Sequence, residues 1–222
     1  MDFHTALDQI DDLFVTAGSR VADGVSALSG RFLEGDQSAI NEAVRLSIDV
    51  GEQCNEVEER AFVILARESP VSGDLRRLVA LLRTTTDVDR SASLLKHVLE
   101  SLDRMDPRML PASVRTQVAE LAARSAEVFA AGMDAWRRGD AQAVLEVDRA
   151  DEAVDSLQLG LLDRAAQLDE AGNEMLVLGL IARYYERIAD HGVSIAQDAA
   201  FVVTGDRVPI GKGRVDVESN ES

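Results

Sequence analysis

Apolar residues recur at helical spacing along almost the whole chain, and few points interrupt that pattern. The first run passes through Phe3, Leu7, Ile10, Phe14, Val21, Val25 and Leu28, and the second through Ile40, Ala43, Leu46, Val50, Val57, Phe62 and Leu65. Steps of three, four and seven residues align side chains on one stripe of an α-helix, whereas a half-buried strand needs strict alternation. The interruptions are Gly30, Gly35-Asp36, Ser69-Pro70, the two-proline segment 105–111, Gly139-Asp140, Gly172-Asn173 and Gly205. Glycine and proline end helices, and Asp36 and Asp140 stand where caps of the following helices belong. The pattern predicts six helices, over about 2–30, 37–67, 72–103, 113–138, 141–168 and 174–204, and a disordered polar tail over 206–222. The proline linker divides them into a three-helix bundle over 1–105 and a second over 106–205. The expected class is all-α, two tandem antiparallel bundles.

Composition agrees with that class. Aromatic residues are 4% of the 222, too few for a typical sandwich of sheets. A net charge of −17 argues against a nucleic-acid backbone as main partner and suits cations or basic protein surfaces. It also serves solubility. The single Cys54 excludes an internal disulfide and a cysteine-based zinc site. No window approaches 18 apolar residues and the start is acidic, so neither a spanning helix nor a leader is expected, and the cytoplasm is the expected location.

The two halves read as copies. An offset of 97 carries Asp89-Arg90 onto Glu186-Arg187, Ser93 onto Asp190, and Glu58 onto Asp155. Gly35-Asp36 and Gly139-Asp140 differ by 104, seven more, which is about two helical turns. Seven residues lost from the fifth helix account for the change.

The carboxylates sit on faces expected to be buried. Asp89 follows Leu75, Leu78 and Leu82 by 14, 11 and 7, and Glu58 precedes Phe62 and Leu65 by 4 and 7. Glu186 follows Met175, Gly179 and Ala182 by 11, 7 and 4. Asp148, Asp151 and Asp155 stand at i, i+3 and i+7 on the preceding helix. A short loop makes these two helices antiparallel neighbours, so their acids converge. Convergent carboxylates repel, and either Arg183 and Arg187 or a bound cation must offset that. Oxygen ligands suit magnesium, calcium, manganese or iron better than copper. Asp74 reads as a first-turn helix charge. Cys54, Trp136, Tyr184 and Tyr185 read as packing residues, and His97 and His191 as packed, exposed or supporting groups.

Three segments carry a resemblance: Pro70-x-x-x-Asp74-Leu75-Arg76-Arg77, Thr86-Asp87-Val88-Asp89-Arg90, and Glu186-Arg187-Ile188-Ala189-Asp190-His191. With the ending FVVTGD at 201–206, they resemble the PhoU family of phosphate-signalling proteins over nearly the whole chain. The resemblance implies two three-helix bundles and carboxylate clusters that hold divalent or trivalent metal ions (magnesium, manganese, iron or zinc), built on one E/D-x-x-x-D motif per half. Glu186 and Asp190 match that motif, and Asp151 and Asp155 match acids on the preceding helix. The first half departs from it. Ser93 replaces the second acid, Cys54 stands where Asp151 does and Gly51 where Asp148 does, leaving Glu58, Asp89 and the nearby Asp87. A site is therefore expected chiefly in the second half.

By the same resemblance the chain is a non-catalytic adaptor, a homodimer that links the ATPase subunit of the phosphate ABC transporter to a sensor histidine kinase. It would repress the starvation response when phosphate is plentiful. The alternative is a carboxylate-bridged metalloenzyme or metal-storage bundle. A ferritin-like di-iron site needs Glu three residues before His, but those positions hold Met1, Leu94 and Ile188. The sequence also has no glycine-rich phosphate loop or Walker motif. A purely structural dimerisation bundle is the third reading.

Overall fold

The computed structural model describes residues 3–167 and 173–210, and these are all-α. Six helices follow in order: α1 (Phe3–Leu33), α2 (Ser38–Glu68), α3 (Ser72–Glu100), α4 (Ala112–Arg138), α5 (Ala143–Ala165) and α6 (Asn173–Thr204). Each lies within a few residues of its expected span. Gly172, residue 168 and the tail beyond 210 fall outside the described residues.

The helix ends follow from local chemistry. Gly35 and Gly139 adopt φ of +69° and +60°, the left-handed conformation that ends a helix without a Cβ clash. The aspartate after each glycine stands one or two residues ahead of the cap position, which Gln37 and Gln142 occupy, and bonds the amides of the entering turn. Asp36 Oδ1 accepts from the Ser38 amide at 2.9 Å, and Asp140 Oδ1 from the Gln142 and Ala143 amides at 3.0 and 3.2 Å. Two short 3-10 turns, Ser101–Asp103 and Pro107–Met109, form the link between the halves. Asp74 lies in the first turn of α3.

α2 packs on α1 and α3, and α5 packs on α4 and α6. The halves meet where α1 lies on α4 and α3 on α6, so one apolar core runs through both. Phe14, Phe32, Phe129 and Tyr185 are fully buried in it. Trp136 stands edge-on to Phe14 at 5.0 Å, which makes it a core residue.

Two expectations fail at α2 and α3. Phe62 is 60% exposed and Leu75 is 40% exposed. α2 instead buries Val50, Cys54, Val57, Ala61 and Ile64, because its packing neighbours lie only on that side. The tail also begins differently from the expectation. Residues 206–210 lie back along α6, with Val208 and Ile210 packed on the core and Gln197 Nε2 donating to the Val208 carbonyl at 2.9 Å.

α4 and α6 cross at two bare positions. A Cβ on Gly132 would lie 2.1 Å from the Gly192 carbonyl oxygen, and one on Gly192 would lie 2.6 Å from Phe129 Cα. Backbone atoms cannot swing aside. Gly132→Ala gains at most about 1 kcal/mol of helix propensity and loses about 1–3 kcal/mol to overpacking. A net fall in melting temperature of about 2–6 °C is expected. Thermal denaturation followed by circular dichroism measures it, and an unchanged or higher midpoint would contradict this close crossing.

Candidate functional site

The second repeat brings its acids together across the α5–α6 contact. Asp148, Asp151 and Asp155 project from successive turns of α5 and are half-buried. Glu186, at 8% exposure, is the most buried of the five, and Asp190 one turn on is exposed at the mouth. Gly179 faces Leu162 of α5, but a Cβ there would make an ordinary contact of 3.5 Å with Leu162 Cδ2, so the approach of the two helices does not depend on the bare position. Met175, expected on the same stripe, is 39% exposed.

The electrostatics describe a cluster under repulsion. Burial pushes the Asp151 carboxyl up to about 7, and the charges of Asp190, Asp155, Glu186 and Asp148 add to it. Glu186 and Asp190 are also raised, first by burial. Arg183 relieves both and bonds Glu186 Oε1, while Arg187 relieves Asp190. The expected guanidinium neutralisation is thus present in part. Glu186 Oε2 and Asp151 Oδ1 remain buried with no hydrogen-bond partner among the described residues. Orphaned anionic oxygens of this kind are costly and fit a hard cation. Among the described residues, however, no three acidic, cysteine or histidine side chains already stand as an ion cage. Filling the cluster requires the carboxylates to turn inward.

The first repeat holds the same positions with weaker chemistry. Asp89 faces α2, its Oδ1 3.2 Å from where a Gly51 Cβ would stand. The charges of Asp89 and Glu58 add to burial in pushing the Cys54 thiol up to about 12, so Cys54 is an inert core residue. Ser93 Oγ approaches Ser47 Oγ at 3.4 Å where the second repeat has Asp190. Asp87 does not join this group. It turns to α6 and accepts from Ser194 Oγ at 2.8 Å.

A polar seam between α3 and α6 went unseen in the sequence. Beside the Asp87–Ser194 bond, Ser91 Oγ meets His191 Nδ1 at 2.8 Å. Buried Asp198 pairs with Arg207 at 3.3 Å and Arg83 at 3.8 Å. Burial, with Arg187 and Arg90 nearby, lowers His191 to about 4 and keeps it neutral. His191 therefore supports the helix contact and stands off the acidic cluster. His97 is exposed and bonds Glu100 at 2.8 Å, with Tyr184 beside it. Tyr185 donates to Ser29 Oγ at 2.8 Å inside the core. An aspartate on the apolar side of α6 was the available signal for Asp198, but its partners lie on another helix and beyond Gly205.

Fold and site define a class: a tandem repeat of antiparallel helical bundles with an acidic cleft in the second repeat. The chain belongs to the PhoU family, whose PhoU domain model matches residues 8–102 and 118–199. It is 33% identical over 153 residues to the phosphate-specific transport system accessory protein PhoU homolog 2 of Mycobacterium tuberculosis, covering 67% of this chain and 71% of that one. PhoU homolog 1 of the same organism is 28% identical over 178 residues, covering 78% and 80%. Among solved structures, PhoU from Pseudomonas aeruginosa superposes with a TM-score of 0.86 at 20% identity, over 92% of this chain and all of that chain. PhoU from Streptococcus pneumoniae gives 0.85 at 17%, over 94% of this chain and all of the other.

The raised Asp151 carboxyl has a signed consequence. Its charged form is disfavoured in the folded protein, so the penalty is absent below the ordinary value of 3.8 and complete above about 7. In chelator, stability falls as pH rises through that window. Asp151→Asn is expected to gain about 1–2 kcal/mol at pH 8, after allowance for solvent screening, and almost nothing at pH 4. Urea titration of both proteins at the two pH values tests it. An equal effect at both would show that the Asp151 charge is not under strain.

Proposed function

We propose that this chain is a non-catalytic, cytoplasmic regulator of phosphate uptake that docks on the ATPase subunit of a phosphate transporter and on a sensor histidine kinase. In this reading it damps the starvation response when phosphate is plentiful. The second-repeat cluster holds a divalent or trivalent metal ion through Glu186, Asp190, Asp151 and Asp155, with Asp148 at its edge. Glu58 and Asp89 hold an ion weakly or not at all. One observation carries the metal reading: two buried carboxylate oxygens in a charged cleft, on Glu186 and Asp151, lack hydrogen-bond partners. Family membership and the name of the mycobacterial relative support the phosphate role.

Two further features support the non-catalytic reading. His191 is engaged by Ser91, and Cys54 is held as a buried thiol. The cleft thus offers carboxylates without a neighbouring nucleophile among the described residues. Homodimerisation is part of the proposal. Phe62 and Leu159 are 60% and 58% exposed at positions 97 apart, and paired apolar exposures of this kind suit protein contact. No helix among the described residues is long and apolar enough to cross a membrane, so the transporter is reached by docking.

The decisive experiment combines Glu186→Gln with Asp190→Asn, which keeps shape and removes charge. Element analysis of the purified variant is expected to show at least tenfold less bound metal, in line with the loss of two ligands. Phosphate-replete cells carrying it are expected to express starvation genes. Unchanged metal content together with intact repression would overturn the proposal.

A further inference from the structure

Where the two repeats meet, the molecule encloses a cavity of about 350 Å3 whose charge runs against the rest of the chain. Asp11 of α1 and Arg77 of α3 line it from the first repeat, and Trp136, Arg137 and Arg138 at the end of α4 and Val202 of α6 line it from the second. Three guanidiniums thus share one cavity in a chain with 40 acidic and 23 basic residues. The α6 wall is held by Arg76, whose Nε donates to the Val202 carbonyl at 3.3 Å. Asp190 lies 12 residues from Val202, about 18 Å along the helix axis, so this cavity is separate from the acidic cleft.

The guanidiniums are answered, but loosely. Arg77 gives Nε and Nη2 to Asp11 and Nη2 also to Asp8 at 3.0 Å, which leaves Nη1 unused among the described residues. Arg137 and Arg138 are 62% and 54% exposed and share Asp134 within one turn of α4. Exposed pairs of this kind contribute little, so a guest with better geometry can redraw them. Arginine forks suit the oxygens of a tetrahedral anion.

Asp11 sets the further condition. Its Oδ2 takes the Arg77 bonds, but its Oδ1 is buried with no hydrogen-bond partner. Burial raises the Asp11 carboxyl although Arg77 and Trp136 ease its charge. The terminal torsion of an aspartate is soft, so a modest turn presents Oδ1 to a guest. An anion without a proton would meet a bare carboxylate there. The guest that fits accepts from the guanidiniums and donates to Asp11.

We infer that this cavity binds hydrogen phosphate, with Arg77, Arg137 and Arg138 on its oxygens and its remaining hydroxyl donated to Asp11 Oδ1. Sulfate has the same shape and lacks the proton. A phosphate ester loses its last proton near about pH 6, whereas free phosphate keeps at least one at neutral pH. Because the ligands come from both repeats, the bound ion ties α3 to the end of α4. The site is argued from its own geometry and does not need a metal in the acidic cleft.

Equilibrium dialysis of the full chain against labelled inorganic phosphate tests the site. Chelator is present, so that no metal in the acidic cleft contributes. Saturable binding is expected, with sulfate at least about tenfold weaker because it leaves Asp11 Oδ1 without a donor. The double variant Arg137→Gln, Arg138→Gln changes only exposed side chains and is expected to bind phosphate about tenfold more weakly or worse. Asp11→Asn offers an amide that can donate to either anion, so it is expected to bring sulfate within about threefold of phosphate. A purely structural Asp11 would not move that ratio. No saturable binding at about 10 mM phosphate, well above the millimolar range that a few charge-assisted bonds supply, would overturn the inference. So would equal binding of sulfate by the unaltered chain, or a double variant that binds as tightly as its parent. If Asp11→Asn fails to fold, the sulfate comparison and the double variant decide. Metal content and repression in the Glu186→Gln, Asp190→Asn protein are read separately, so either proposal can fail alone.

Discussion

Repulsion among acids on facing turns of α5 and α6 is the constraint on which the second repeat depends. Neither helix could hold those carboxylates half-buried on its own account. Solvation would draw each one outward, and the charge next to it would push it further. They stay because α6 is fixed from its other sides. Glycine crossing with α4 sets its depth, Tyr185 is bonded to Ser29 in the core, and Ser194 and His191 tie it to α3. The apolar core supplies the energy that holds the acids close. Raised carboxyls at Asp151, Glu186 and Asp190 are the electrostatic sign of that cost.

The first repeat relieves the same constraint by substitution. Glycine at 51, a thiol at 54 and a hydroxyl at 93 stand at three of the five matching positions. The helices still meet as they do in the second repeat, with Asp89 against Gly51 and Ser47 against Ser93. One backbone arrangement thus occurs twice, once with repelling charges and once nearly without them. That contrast places the chemistry in the side chains rather than in the bundle.

The helices and their corners were legible because their causes are local. A 3.6-residue period marks each helix, and a glycine followed by aspartate marks both corners. The convergence of Asp151, Asp155, Glu186 and Asp190 was legible by arithmetic, since a short loop leaves two helices little choice of partner. Phe62 and Leu75 were misjudged because a stripe shows that one face is apolar, not whether a neighbour covers it. Asp87, Asp198 and the fold-back of 206–210 were out of reach for a related reason. Their partners belong to other elements, and no local pattern records how the halves dock.

That docking gives the cleft a route to the rest of the molecule. α6 carries the acids on the side facing α5 and, rotated by about a quarter turn, the residues that bond α3. Ser194 and Asp198 lie one and two turns beyond Asp190, and Asp198 also holds Arg207 at the root of the tail. A cation can shift α6 only to the extent that it binds one position of the helix better than another. Under the proposed reading, a cation bridging the partly neutralised acids would favour a tighter α5–α6 contact than the charged acids alone. Any such movement passes along a rigid helix into the seam with the first repeat and into the segment that folds back from Gly205. The repeat that lost its own acids would therefore still respond to what binds in the other.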